Sequence, residues 1–365
     1  MTWPRTAVRR APGKLFVAGE YAVVDPGNTA VLVAVDRYIT VTARAASPAP
    51  AGGVVVSSDL AAPLRRTWHD GRLTEDGETP SPVLSAIETV GALLAGHGLP
   101  LPALHVSITS TLHTGGTKYG LGSSGAVTVA TVNAVATACG LELSEQDLFR
   151  LSLLASARID VKGSGGDLAA STFGGWIAYR SPDRAAALDL ARTRGVEAAL
   201  RTPWPHLAVR RLPPPAGLRL EVGWTGRPAS TPSLVAGLHR RSWRGSASHR
   251  AFVRTSAGIV QACIDALETG DGPGLLHQIR RARTELERLD GEVGLGIFTP
   301  ALRALCDAAD DRGGAGKPSG AGGGDCGIAL LDALAPHDLA HVRKRWAAAG
   351  VLALPVAPAL EGIPT

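Results

Sequence analysis

The sequence predicts an α+β protein of two domains, and three observations carry that expectation. The chain has 365 residues, more than one domain of ordinary size needs. Strand-like and helix-like segments are mixed without the strict β-α-β alternation of a doubly wound sheet. A proline-dense stretch, 202–217 (TPWPHLAVRRLPPPAG), interrupts the pattern and divides the chain into 1–215 and 216–365.

Each element follows from a local pattern. Residues 29–42 (TAVLVAVDRYITVT) and 103–111 (ALHVSITST) are rich in β-branched side chains and predict strands. Between them, Leu84, Ile87, Val90, Leu93 and Leu94 recur at helical spacing over 82–98, and Gly96, Gly98 and Pro100 stop the helix. Segment 124–139 is small and apolar on nearly every face, so it predicts a buried helix. Ser144 and Asp147 have capping-box spacing and open a helix over 145–157. A strand is expected over 174–180. Beyond the proline-dense stretch come a strand (218–224) and helices near 232–243, 249–268 and 274–289. In the second of these, Val253, Ala257, Val260, Ile264 and Leu267 share one face. Thr299-Pro300 opens a further helix that Gly313-Gly314 ends. A strand (326–331), a helix (337–348) and a short strand (351–354) complete the chain.

Composition excludes several classes of function. Hydrophobic residues make up 45% and charged residues 19%, too apolar for a disordered chain. No apolar run reaches the length of a membrane span, and the first residues lack the apolar core of a secretory signal. Cys139, Cys263, Cys306 and Cys326 are widely separated with no C-x-x-C spacing, which argues against a zinc ribbon or a disulfide framework. A cytoplasmic protein with no membrane partner is expected. The net charge is +5, but the basic residues are interspersed with acids and aromatic residues are only 4%, so no nucleic-acid partner is expected. Of 37 basic residues only Lys14, Lys118, Lys162, Lys317 and Lys344 are lysine, and the first four lie beside glycine-rich segments. Lysine is a compact charge suited to phosphate oxygens, so this placement points to phosphate chemistry.

Three glycine-rich segments stand out: PGKLFVAGEY (12–21), KYGLGSSGA (118–126) and KPSGAGGGD (317–325). A fourth, KGSGGD (162–167), lies between the last two. In the second, glycines and two serines open the buried helix. Free N–H groups and the positive end of the helix dipole suit a phosphate there. Gly120-x-Gly122-x-x-Gly125 also satisfies the dinucleotide fingerprint, but Glu142, at the distance of the expected ribose-binding acid, falls in a helix-cap context. The Walker lysine loop fails because Pro318 follows Gly316-Lys317, and the accessory motifs of protein kinases are missing. His337 and His341 lie one helical turn apart without a third ligand.

The order and spacing of these segments resemble the GHMP kinases, the superfamily of galactokinase, homoserine kinase, mevalonate kinase and phosphomevalonate kinase. KYGLGSSGAVTVA (118–130), GSGGDLAASTFGGWIAY (163–179), VGWTGRPAST (222–231) and KPSGAGGGDCGIAL (317–330) are most similar to the bacterial phosphomevalonate kinases. The resemblance runs through about residues 7–360. It implies a ribosomal-protein-S5-like N-terminal domain and a ferredoxin-like C-terminal domain, with ATP and substrate between them. The implied reaction takes ATP, with Mg²⁺, and 5-phosphomevalonate to ADP and 5-diphosphomevalonate, in a monomer or homodimer.

The resemblance also assigns residues. Lys118, Gly120, Leu121, Gly122, Ser123, Ser124 and Gly125 would bind ATP. Lys14 and Asp167 would be catalytic. Lys14, Glu20, Tyr21, Lys162, Ser164, Gly165, Arg227, Ser230, Thr231, Ser319, Gly320, Ala321 and Gly322 would meet the phosphorylated substrate. Ser124 and Asp160 would reach the metal. The magnesium-binding glutamate of mevalonate kinase corresponds to Ser156 here, and Asp160 is the nearest acid. A phosphate acceptor, with a second pKa near 6, is already a nucleophile at neutral pH. Lys14 is therefore expected to matter more than Asp167, which would orient Lys14 instead of taking a proton. The alternatives are mevalonate kinase or another small-molecule GHMP kinase, and a non-catalytic GHMP-fold binding protein.

Overall fold

The computed structural model describes residues 5–46, 53–59, 61–69, 72–74, 81–99, 102–227 and 243–360. The helix expected near 232–243, with Ser230 and Thr231 before it, lies almost wholly outside the described residues.

Two long strands frame the first half. β1 (Arg5–Ala18) and β2 (Thr29–Ala46) pair antiparallel from Arg5↔Ala45 to Ala18↔Val31, with irregularities after Pro12 and Phe16. β2 outlasts any single neighbour. Its first part pairs with β9 (Trp176–Arg180) and its second with β6 (Ala103–Ser110). β6 carries β3 (Gly53–Ser58) in parallel, and β4 (Ala61–His69) and β5 (Arg72–Leu73) follow at that edge. At the other edge, β10 (Ala208–Leu212) pairs with β9. A small hairpin, β7 (His113–Thr114) with β8 (Thr117–Lys118), stands apart.

Helices cover one face of this sheet: α1 (Pro82–Gly96), α2 (Ser123–Ala138), α3 (Glu145–Ile159) and α4 (Gly166–Phe173). α2 packs on β1 and β2 with α1, α3 and α4 around it. It buries residues on all faces, from Gly125 and Ala126 through Thr131 to Ala138, as its small apolar sequence predicts. Ser144 caps α3 by accepting the Asp147 N–H at 3.1 Å. Two further helices, α5 (Arg184–Arg194) and α6 (Val196–Arg201), follow β9.

The second sheet is antiparallel, ordered β12 (Ala315–Pro318), β13 (Cys326–Asp332), β11 (Leu218–Trp224), β14 (Leu352–Leu354). α7 (Ala247–Thr269) packs on α8 (Gly272–Val293) and reaches β1, β2 and β10 of the first sheet, while α8, α9 (Pro300–Asp310) and α10 (Pro336–Ala348) pack against the second. The buried face of α7 is Phe252, Ser256, Ile259, Val260, Cys263, Ile264 and Leu267, while Ala257 is exposed. The helix is rotated from the expected face because the Phe252 ring takes the place assigned to Val253. Trp346 of α10 is fully buried, and its indole N–H donates to the Leu305 carbonyl at 3.0 Å.

The proline-dense stretch is only partly a connector. Residues 208–212 remain in the first sheet, so the chain crosses over 213–217 and enters the second sheet at Leu218. After β14 the chain returns. The Ala357 carbonyl accepts the Asp36 N–H at 2.9 Å, and Ala359 bonds the backbones of Ala34 and Gly175 at 2.9 and 2.6 Å. A C-terminal strap thus lies across the N-terminal sheet. All four cysteines are free and buried, and burial pushes the thiols of Cys139, Cys263 and Cys306 up to about 12.

Replacing Trp346 by Ala removes a large buried ring and leaves the Leu305 carbonyl without its donor. We expect a loss of about 3–5 kcal/mol in denaturant unfolding, with an unchanged m-value.

Candidate functional site

Three glycines at the start of α2 each make room for a different charged side chain. Gly120 and Gly122 have φ of 79° and 77°, the left-handed region that suits glycine, and Gly122 is the N-cap of α2. A Cβ on Gly120 would lie 2.4 Å from the Asp325 side chain. One on Gly122 would lie 2.8 Å from Cγ of Lys14, and one on Gly125 would lie 2.6 Å from Oδ2 of Asp167. The Lys14 N–H donates to the Leu121 carbonyl at 2.8 Å, which pins β1 to this loop. Lys14 is buried, with Nζ 5.3 Å from the centre of the Phe16 ring. That nitrogen is 3.9 Å from where a Cβ on Gly320 would stand. Lys14, Asp167 and the glycine loop therefore meet within one helical turn, Lys14 at Gly122 and Asp167 at Gly125. Lys14 and Asp167 form no ion pair with each other among the described residues.

The first N–H groups of α2 have no partners within the helix, and no side chain caps them. The helix dipole adds positive potential at the same point. Ser123 is half-buried and Ser124 exposed, so both hydroxyls are open to a ligand.

Asp167 stands in the first turn of α4, directly after the loop that joins α3 to it. That loop is tied at every step: Asp160 accepts the Lys162 N–H at 2.9 Å, and Ser164 Oγ accepts the Gly166 N–H at 3.2 Å. The Tyr179 hydroxyl donates to the Ser164 carbonyl at 2.7 Å, and Arg184 donates to the carbonyl of Gly163. Gly165 is left-handed, with no room for a side chain beside Leu153 and the Tyr179 hydroxyl. Burial pushes the Tyr179 phenol well above its ordinary pKa, so it stays a donor.

The third glycine-rich segment joins the two halves of the molecule. Lys317 is completely buried and pairs with Glu20, also buried, while its Nζ donates to the Pro318 carbonyl at 2.7 Å. The Ser319 hydroxyl accepts the Phe16 N–H at 2.8 Å and donates to the Phe16 carbonyl at 3.1 Å. The Tyr21 hydroxyl donates to the Ala321 carbonyl at 2.5 Å, with its pKa raised by burial. Gly322 is pressed against Ile297. Glu20, Tyr21 and Ser319 were expected to line the acceptor's pocket, but their polar atoms are engaged in joining β1 to this loop. Lys317 was grouped with the phosphate-binding lysines, yet it serves this junction too.

The remaining candidates are more dispersed. Lys118 is exposed on the β7–β8 hairpin, where burial and the lysine's charge lower the pKa of His113. Lys162 is exposed in the loop before Asp167. Arg227 is exposed, and its carbonyl accepts the Asp325 N–H at 2.8 Å. Asp160 is exposed, and no hydrogen bond links it to Ser124 among the described residues. Asp325 and Arg184 were not foreseen. Asp325 carries one visible signal, a non-glycine residue closing a run of glycines, and it has a positive φ of 48°.

No three His, Cys, Asp or Glu side chains come together as a metal cage among the described residues. The donors near the loop are serine hydroxyls and single carboxylates. That set suits a magnesium ion brought in on phosphate oxygens, keeping most of its waters.

Two family models match the chain, "GHMP kinases N terminal domain" over residues 83–175 and "GHMP kinases C terminal" over 264–349. A phosphomevalonate kinase from Streptomyces sp. (strain CL190) is 64% identical over 99% of this chain and 100% of its own. A mevalonate kinase from Thermococcus onnurineus is 29% identical over 93% of this chain and 92% of its own. Among solved structures, the Streptococcus pneumoniae phosphomevalonate kinase in complex with phosphomevalonate and AMPPNP superposes with a TM-score of 0.81. It is 28% identical, over 96% of this chain and 99% of that one.

The Glu20–Lys317 pair gives this junction a testable signature. Glu20→Gln or Lys317→Met alone leaves one buried charge uncompensated and should lower unfolding stability by about 3–5 kcal/mol. The double variant Glu20→Gln/Lys317→Met should lose less than the sum of the two, measured as a double-mutant cycle in denaturant.

Proposed function

The chain belongs to the GHMP kinase family, and on that premise we infer that it is a phosphomevalonate kinase. It transfers the γ-phosphoryl group of ATP to the phosphate of 5-phosphomevalonate, giving ADP and 5-diphosphomevalonate, a step in the mevalonate route to isoprenoids. The observation that carries this inference is the meeting of Lys14, the glycine loop and Asp167 at the start of α2, in a chain that matches a phosphomevalonate kinase along its whole length.

The residues divide the work by charge. Gly120, Leu121, Gly122, Ser123, Ser124 and Gly125 form the cradle for the ATP phosphates, with backbone N–H groups as donors. The chemistry a magnesium ion would supply here is neutralisation of the charge that builds on the leaving group. Ser124 is the residue that would hold that ion from the protein side. Asp160 is a weaker candidate, because its carboxylate already accepts the Lys162 N–H. Lys14 is held in a low-dielectric setting beside the loop, where a positive charge has its largest effect on developing negative charge. Lys162 and Arg227 are exposed cations available to the substrate's carboxylate and phosphate, and Lys118 is the exposed cation beside the ATP loop.

Phosphoryl transfer depends more on placement and charge than on covalent help from the protein. The acceptor's phosphate is dianionic near neutral pH, so no general base is needed to activate it. Asp167 therefore positions and Lys14 stabilises. Without a direct ion pair between them, Asp167 acts on the geometry of the loop and the bound acceptor instead of holding the lysine itself.

No helix among the described residues is long and apolar enough to cross a membrane. We place the enzyme in the cytoplasm, as a monomer or homodimer without nucleic-acid partners. Its four free cysteines support a reducing compartment.

ADP release should require 5-phosphomevalonate and should not occur with mevalonate. Turnover of mevalonate alone would make it the enzyme one step earlier. Lys14→Met should lower kcat by at least about 100-fold, the cost of removing one donor to a developing anion. Asp167→Asn should cost less. Retained turnover in the lysine variant with loss in the aspartate variant would reverse the two roles.

A further inference from the structure

Arg184 is a buried cation in a place that helix stability does not explain. It is only 5% exposed, and it occupies the first position of α5, behind the Asp183 cap. A positive charge at a helix N-terminus opposes the helix dipole. Burial lowers its pKa, against which the charges of Tyr179, Asp167 and Asp160 act. Its Nε has no hydrogen-bond partner among the described residues. An arrangement with these costs is retained for something outside the helix.

What it touches is the back of the loop that carries Asp167. One terminal nitrogen donates to the Gly163 carbonyl, and the other donates to Ser156 Oγ at 3.0 Å. A Cβ on Gly163 would lie 2.9 Å from the same guanidinium, so the loop passes directly over it. Tyr179 holds the next residue through the Ser164 carbonyl. The guanidinium thereby ties the end of α3 to the loop, and it faces the carboxylates at either end of that loop, Asp160 and Asp167.

We infer that Arg184 is a positioning residue for phosphoryl transfer: it clamps loop 160–167 from behind and sets where Asp167 stands against the glycine loop. It meets neither nucleotide nor acceptor, and it acts through Asp167. The planar fork matters because two separate acceptors, one on the loop and one on α3, are held at once. The inference rests on the phosphotransferase function above, but not on which acceptor is used.

The test uses the full chain with Arg184→Gln, Arg184→Lys, Ser156→Ala, Asp167→Asn and the double variant Arg184→Gln/Asp167→Asn. The wild type is first assayed with 5-phosphomevalonate and mevalonate, and whichever acceptor turns over is used throughout. A wild type active on neither would overturn the proposed function. The clamp would then be judged by amide hydrogen exchange of residues 160–167 without substrates, where Arg184→Gln should speed exchange and unchanged exchange would overturn the inference.

With an active wild type, Arg184→Gln should lower kcat by about 10- to 100-fold, the usual cost of a misplaced group. KM for ATP should stay within about twofold, because the ATP cradle is built from other residues. In the Asp167→Asn background the same change should cost less than about threefold, since residues acting as one unit are non-additive. Arg184→Lys should recover only part of the loss, and Ser156→Ala should show a smaller loss with the same pattern. Should Arg184→Gln fail to fold, the lysine and serine variants carry the same comparison. Losses that multiply in the double variant, or a rise in KM for ATP equal to the fall in kcat, would overturn the positioning role.

Discussion

A lysine with no exposed surface must be neutralised where it stands, and Lys317 is neutralised by a carboxylate from the other half of the molecule. Separating Glu20 from Lys317 would leave two charges in a medium that solvates neither, so the turn after β1 stays with β12. Ser319 adds two hydrogen bonds to the backbone of Phe16, and Tyr21 adds one to Ala321. These contacts all follow Lys14 in the chain, at Phe16 in β1 and at Glu20 and Tyr21 just beyond it. The position of Lys14 relative to Gly320 is thus tied to a junction built from both halves of the chain.

From that junction the site assembles by exclusion of side chains. β1 brings Lys14 to Gly122, α4 brings Asp167 to Gly125, and the loop before β13 brings Asp325 to Gly120. Each approach is too close for any Cβ. The glycines serve less as flexible links than as recesses, which explains why three charged groups can stand around one helix N-terminus. The same helix is buried from Gly125 onward, which fixes its axis against the sheet while its first two residues stay open.

Much of this was legible in the residues, and what was not has physical causes. The buried α2 helix and the capped α3 follow from local pattern, whereas β1, the strand that carries Lys14, does not, because its proline, glycine and arginines break any run of strand-forming residues. β12 was hidden because Ala-Gly-Lys-Pro has no strand propensity, and its pairing with β13 places Pro318 on an edge strand where no N–H is needed. β10 was hidden by the prolines on either side of it. The face of α7 was misjudged because helical spacing alone fits two neighbouring stripes, and only packing of Phe252 decides between them. The partners of Glu20, Lys317 and Ser319 lie about 300 residues away, with sequence separations of 297 and 303. Short-range pattern carries no information on such pairs, and a lysine beside glycines looks the same whether it meets a phosphate or a glutamate.

The strap formed by residues 355–359 has a consequence for how such a chain can change over time. The final residues bond to Ala34, Asp36 and Gly175, so the N-terminal sheet is completed by the last part of the chain. The two halves are interlaced, not strung in series. A splice between them near residue 215 would separate the strap from its sheet, and exchange of one half for that of a distant relative would break the weave at both ends. New acceptor preferences are more accessible through point changes around a fixed cradle than through shuffling of parts.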